Sequence, residues 1–211
     1  MRSIALSLTI VCVFAGCGGD DGGDDGGGGG GDDASTADAS TGDGDGAPVE
    51  GDAGGEQTCQ QLCDRLDEIC VGELTQYANV EECLSTCALY PPGVPGDHSA
   101  NTLSCRLYHA DLALADPDPH CYHAGPSGGR AAACGSACEN YCLIMLATCP
   151  EEFADEAECL EICDGFPDPR PYSIRESRTD TVACRIFHAT RATADDGHCG
   201  TASPDSVTCV E

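Results

Sequence analysis

Apolar residues and cysteines recur at helical spacing from residue 59 onward. Thr58 and Gln61 stand at the N-cap and N3 positions of the first such run and predict a capping box. The run itself repeats every three or four residues, the spacing of one helical face: Cys59, Leu62, Cys63, Leu66, Ile69 and Cys70. The pattern returns further on, with Ser136 and Glu139 as the cap and a similar face: Cys138, Tyr141, Cys142, Met145 and Cys149.

Each of these runs is followed by the signature of a second helix and a turn. Asn79 and Asp155 are N-cap residues with a glutamate three positions on. Prolines then end the hairpin, since proline cannot continue a helix: Pro91, Pro92, Pro95, Pro167, Pro169 and Pro171. A third helix is expected over about 101–115 and about 180–194. The predicted fold class is all-α, with two tandem, small, disulfide-rich helical modules of about three helices each.

The cysteine spacing identifies an internal repeat. The first copy, over 58–134, contains Cys59, Cys63, Cys70, Cys83, Cys87, Cys105, Cys121 and Cys134. The second copy, over 135–211, contains Cys138, Cys142, Cys149, Cys159, Cys163, Cys184, Cys199 and Cys209. The chain has 18 cysteines in 211 residues. Eight per copy leave none unpaired, which predicts a disulfide framework and therefore an oxidising compartment.

Helix geometry predicts part of the disulfide pairing. In an antiparallel hairpin the first cysteine of one helix faces the last of the other, which predicts Cys59–Cys87, Cys63–Cys83, Cys138–Cys163 and Cys142–Cys159. Cys70 lies further along the same face, and its expected partner on the third helix is Cys105, with Cys149–Cys184 equivalent. The pairs Cys121–Cys134 and Cys199–Cys209 then close the tails. Exchange among these last four cysteines of each copy stays open.

The paired C-x-x-x-C spacing resembles the twin CX3C helical hairpins of the small mitochondrial carrier chaperones. This resemblance is one of spacing over about 30 residues per copy, and it implies a disulfide-linked hairpin without implying a function. The third helix and the export signal depart from that family. The modules are therefore expected to belong to no characterised family.

The N-terminus has the features of an export signal. Met1 and Arg2 precede an apolar run over 4–14, which is much shorter than the ~20 residues that span a membrane. The run ends in the sequence Phe14-Ala15-Gly16-Cys17, which resembles the bacterial lipobox. The resemblance implies that 1–17 is a lipoprotein signal peptide with Cys17 lipidated. Gly18 in place of Asp then implies an anchor in the outer membrane or at the cell surface. An ordinary secretory signal is the alternative.

Residues 18–57 predict a disordered linker. They are almost entirely Gly, Asp, Ala, Ser and Thr, which cannot bury enough apolar surface to order the chain. The formal net charge of the whole chain is -28 at pH 7. A surface this acidic repels phosphate backbones, so nucleic acid is excluded as a partner.

The candidate site residues of the repeats are four recurring histidines: His109, His120, His188 and His198. Two imidazoles brought together by a disulfide form a possible site for copper, zinc or haem iron. The favoured interpretation is that they are packing and turn residues, because no acidic or thiolate ligand completes a metal-ligand spacing. On that interpretation the protein has no cofactor.

The sequence contains no H-E-x-x-H, P-loop or redox C-x-x-C motif. The expected function is therefore a membrane-anchored, non-enzymatic binding module that displays its repeats to a protein or cell-surface partner. The alternative is a metal- or haem-binding redox accessory protein that uses the four recurring histidines.

Overall fold

The computed structural model describes residues 56–168 and 171–210. These residues form eight α-helices and no β-strand, which confirms the all-α prediction. The first four helices belong to the first copy: α1 (Cys59–Ile69), α2 (Val80–Cys87), α3 (Leu103–Leu112) and α4 (Pro117–Ala124). The others belong to the second: α5 (Ala137–Thr148), α6 (Glu156–Cys163), α7 (Val182–Ala192) and α8 (Cys199–Ala202). The predicted signal peptide with Cys17 and nearly all of the predicted linker lie outside the described residues.

The helices α1 and α5 begin at the N-cap residues that the sequence predicts. The Thr58 hydroxyl accepts from the Gln61 amide at 3.2 Å while the Gln61 side chain accepts from the Thr58 amide at 2.9 Å. Ser136 and Glu139 form the equivalent box on α5. Each box satisfies two amides that the first helical turn leaves without a partner, which stabilises a short helix by about 1 kcal/mol.

Each copy contains one helix more than the sequence predicts. The short helices α4 and α8 follow the third helix of their copies and carry Cys121 and Cys199. Proline occupies the first positions of α4, where its missing N–H costs nothing. Their weak apolar periodicity explains why pattern alone does not predict them.

The third helix runs parallel to the first. Gln57, just before α1, accepts a hydrogen bond from Ser104 in the first turn of α3, and Arg65 in the middle of α1 pairs with Asp111 near the end of α3 at 2.7 Å. The two helices therefore share their N-terminal end. Cys70, at the opposite end of α1, lies close to α4 and far from the start of α3.

This direction corrects half of the predicted disulfides. The four hairpin bridges are present as predicted: Cys59–Cys87, Cys63–Cys83, Cys138–Cys163 and Cys142–Cys159. The predicted pairs Cys70–Cys105, Cys121–Cys134, Cys149–Cys184 and Cys199–Cys209 are wrong. The structure pairs Cys70–Cys121, Cys105–Cys134, Cys149–Cys199 and Cys184–Cys209. The first helix of each copy is thus bridged to the fourth, because its C-terminal cysteine lies at the end of the bundle opposite the start of the third helix.

Each copy has its own apolar core, and the two copies pack against each other. Leu143 of the second copy packs on the core of the first, and Leu89 packs on the core of the second. Arg191 pairs with the buried Glu82 across the boundary at 3.3 Å. The described residues accordingly belong to one compact unit, in which the division into modules at 134/135 stays a prediction from the sequence.

Candidate metal centre

Three histidines converge between α3 and α4. Nδ1 of His109 lies 3.0 Å from Nδ1 of His120 and 3.4 Å from Nδ1 of His123. One ligand atom from each ring lies within 4.8 Å of those of the other two. His109 is buried, and the other two rings are half-buried. The cluster therefore extends from the core, at His109, to the surface, at His120 and His123.

Disulfides position all three rings. His109 lies one turn after Cys105, which is bonded to Cys134, and the bond fixes the face of α3 that turns inward. His120 and His123 stand one turn apart on α4, on either side of Cys121. The bond from Cys121 to Cys70 ties this helix to the end of α1. Disulfide bonds therefore fix the two helices that carry the imidazoles.

A backbone carbonyl fixes the tautomer of His109. Nε2 of this ring lies 3.2 Å from the carbonyl oxygen of His98, which only accepts, so Nε2 carries the proton. In the neutral ring Nδ1 is then unprotonated and offers its lone pair to His120 and His123. Metal-binding histidines have this arrangement, in which the nitrogen remote from the metal donates to a carbonyl.

Burial favours the neutral form of His109 and His123, because it lowers the pKa of both rings. It lowers the pKa of His109, although the carbonyl of His98 opposes the shift and the His120 ring adds to it. It also lowers the pKa of His123 to about 4, with the neighbouring His109 and His120 contributing. Because the neutral ring is the form that binds a metal, neither ring needs to lose a proton at pH 7.

The loop after α4 packs against the His123 ring. Gly129 has a φ of +74°, and a Cβ on it would lie 2.2 Å from Cδ2 of His123. Ala131 and Ala132 also have positive φ, which costs about 1–2 kcal/mol for each residue. The loop ends at Cys134, whose bond to Cys105 holds it against α3. The conformation that places glycine on the His123 ring is therefore maintained by a disulfide.

The nitrogen spacing fits a tetrahedral metal. With metal–nitrogen bonds of 2.0–2.1 Å, two ligand nitrogens of a tetrahedral zinc lie about 3.3 Å apart. The two Nδ1 separations of 3.0 and 3.4 Å lie on either side of that value. The ligand atoms of all three rings lie within 4.8 Å of one another.

The second copy has only part of this centre. His188 and His198 stack with ring centroids 5.9 Å apart, and Nε2 of His188 donates to the carbonyl of Ser177 at 3.1 Å. Nδ1 of His188 is buried and has no hydrogen-bond partner within the described part of the chain. Thr201 stands where the first copy has His123, one turn after His198 on α8. The second copy therefore lacks the third imidazole.

Cysteine sulfurs lie close to the buried histidine in both copies. A nitrogen of His109 lies within 4.8 Å of both sulfurs of Cys105 and Cys134, and His188 has the same relation to Cys184 and Cys209. All four sulfurs are in disulfides, so they do not act as thiolate ligands in the oxidised protein.

Sequence comparison of the copies identified two of the three clustered histidines. His109 and His120 come together as the repeat suggested, and His188 and His198 also meet. His123 was missed because it has no counterpart in the second copy. The signal for it was its position three residues after His120, which places both rings on one face of a helix.

The first copy is similar to a domain of known proteins. The family described as the BfoA family C-terminal domain matches residues 50–139, which is less than half of the chain and contains all three histidines. The "Aurasperone B biosynthesis cluster protein A" of Aspergillus niger is 40% identical over 70 residues, which are 32% of this chain and 23% of that protein. The "Bifonsecin B biosynthesis cluster protein A" of Aspergillus brasiliensis is 39% identical over the same shares of the two chains.

Another match is a putative EGF-like domain-containing protein of Acanthamoeba polyphaga mimivirus, which is 28% identical over 40% of this chain and 16% of that protein. No solved structure matches the chain. The matched segment thus spans less than a quarter of the length of each of these relatives.

These similarities correct two predictions from the sequence. The expectation that the modules belong to no characterised family is wrong, because the BfoA C-terminal domain matches the first copy. The predicted lipid anchor in a bacterial outer membrane, with the lipoprotein resemblance behind it, is contradicted because the Aspergillus relatives are fungal biosynthesis-cluster proteins. No helix among the described residues is long and apolar enough to cross a membrane. The disulfides are typical of an extracellular or secreted protein.

Proposed function

We propose that the chain is a non-enzymatic metal-binding protein of an oxidising compartment, and that His109, His120 and His123 bind one zinc or copper(II) ion. The proposal is carried by a group of three imidazoles in which two Nδ1–Nδ1 distances are close to the spacing of tetrahedral ligands. Two imidazoles in contact are common in protein cores. A third ring, together with a carbonyl that fixes the tautomer of the first, favours a ligand over packing.

The donor set selects the class of metal. Imidazole nitrogen suits zinc and copper, whereas magnesium and calcium require oxygen ligands. No carboxylate joins the three histidines in the described part of the chain. Haem ligated by two of these histidines does not fit, because the macrocycle would have to lie between its axial imidazoles and Nδ1 atoms 3.0 Å apart leave no space for it.

The scaffold suits this role. A metal site with few ligands needs rings whose positions are set before the ion arrives, since ordering them on binding weakens affinity. Here two disulfides fix the helices, and burial lowers the pKa of His123 to about 4, so protons do not compete for this ring near neutral pH.

Calorimetric titration of the oxidised, metal-free protein with zinc tests the proposal. We expect one zinc per chain, and we expect that His123→Gln weakens binding by at least tenfold. The matched control is His188→Gln, which removes the equivalent buried ring of the second copy and should leave the titration unchanged. Absence of stoichiometric binding, or an equal effect of both variants, would show that the histidines only pack.

A further inference from the structure

We infer that the metal ion in this centre keeps one coordination position for an exogenous ligand, which is water at rest and a small anion such as azide when one is supplied. This inference rests on the proposed function. It assigns to the centre an exchangeable ligand site, which a purely structural zinc site lacks, since structural sites have four protein ligands.

The first support is the number of donors. The ligand group around His109 consists of three histidines, and no fourth histidine, cysteine or carboxylate within the ranges 56–168 and 171–210 joins it. The sulfurs of Cys105 and Cys134 approach His109 but are bonded to each other. Zinc is almost always bound by four ligands, and sites with three protein ligands complete the set with water.

The second support is the direction from which a ligand can arrive. The inner side of the centre is closed by the buried His109 and by the Cys105–Cys134 bond behind it. The other two rings are half-buried, so the centre borders solvent on the α4 side. A fourth ligand therefore comes from solvent, and it does not need to displace a side chain of the core.

The third support is charge. All three protein ligands are neutral imidazoles, so a bound divalent ion keeps a charge of about +2 in a partly desolvated place. An anion at the fourth position offsets that charge. In the exchange the metal–oxygen bond to water breaks, the metal–anion bond forms, water leaves with its own electron pair, and no group is oxidised or reduced.

Cobalt(II) replacing zinc in the oxidised protein provides the test, because the visible absorption of cobalt reports its coordination. We expect one cobalt per chain with tetrahedral d–d bands. We expect these bands to change on addition of azide with a stoichiometry of one azide per cobalt. Metal analysis after equilibrium dialysis must show that the cobalt stays bound, which separates ligand exchange from extraction.

The outcomes distinguish this inference from the proposed function. Cobalt bound stoichiometrically with a spectrum that azide leaves unchanged would overturn the inference and leave metal binding intact. Thiolate-to-cobalt charge-transfer bands would also overturn it, because they would identify a cysteine as the fourth ligand. No cobalt uptake at all would refute the proposed function itself. The variant His188→Gln should reproduce both the wild-type spectrum and its response to azide.

Discussion

Replacing Gly129 by alanine should disable the metal centre without touching a ligand. A Cβ at this position would lie 2.2 Å from Cδ2 of His123 and 2.9 Å from its backbone nitrogen. Ordinary carbon contacts are about 3.5–4.0 Å, so the ring must move by more than 1 Å or the loop must open. Metal–ligand bonds tolerate only about 0.2 Å, and His123 then no longer reaches an ion bound by the other two rings.

The expected loss of zinc affinity is about 10- to 100-fold, the range seen when groups that orient metal ligands are removed. This corresponds to about 1.4–2.7 kcal/mol of binding free energy. The substitution also lowers the free energy of unfolding by about 1–3 kcal/mol, because a φ of +74° with a ψ of 175° is a conformation that essentially only glycine adopts. The two effects need to be measured separately.

Gly72 provides the matched control. It has a φ of +67°, and a Cβ there would meet no atom within 4 Å. Gly72→Ala introduces alanine at a positive φ without a steric clash, so zinc affinity in calorimetry should stay at the wild-type value, and urea titrations measure the loss of stability of each variant separately. If Gly129→Ala binds zinc as tightly as Gly72→Ala does, the glycine does not position His123, and the packing argument for the centre fails.

Three further predictions follow from the same structure. Thr201→His restores the missing third imidazole of the second copy, so metal analysis should rise from one to two zinc ions per chain, and a value of one would contradict the equivalence of the copies. Burial lowers the pKa of His123 to about 4, below its ordinary 6.5. As the pH falls, His123 is therefore protonated in the unfolded chain at a higher pH than in the folded chain. The free energy of unfolding of the metal-free protein should then fall as the pH falls from about 6.5 toward 4. Urea titrations at pH 7 and 5 should show a smaller fall for His123→Gln, and an equal fall would exclude this ring as the cause. Peptide mapping without reductant should recover Cys70 linked to Cys121, and a link from Cys70 to Cys105 would show that the direction assigned to α3 is wrong.

The helical hairpins could be predicted from the sequence because each depends on local signals. The cap formed by Thr58 and Gln61 requires only the spacing within one turn, and the Cys63–Cys83 bond requires only that two neighbouring helices run antiparallel. The bonds of Cys70 and Cys105 depend on the direction of α3, which is set by how the proline-containing turn returns the chain to the start of α1. That path is a tertiary property, and apolar periodicity does not contain it.

The candidate site was half predictable for a similar reason. Comparing the two copies shows which residues recur, and it identified His109 and His120. It cannot identify a residue that distinguishes one copy from the other, such as His123. The tautomer of His109 depends on the carbonyl of His98, which lies in a loop of irregular structure and approaches the ring only in the folded chain.

The most direct measurement for the metal centre is zinc X-ray absorption on the oxidised protein loaded with one equivalent of zinc. We predict a first shell of three imidazole nitrogens and one oxygen at about 2.0–2.1 Å, with the multiple scattering that imidazole rings produce. The same spectrum from His123→Gln should contain fewer imidazoles. A first shell with sulfur at about 2.3 Å, or a spectrum of hydrated zinc without imidazole scattering, would contradict the three-histidine centre.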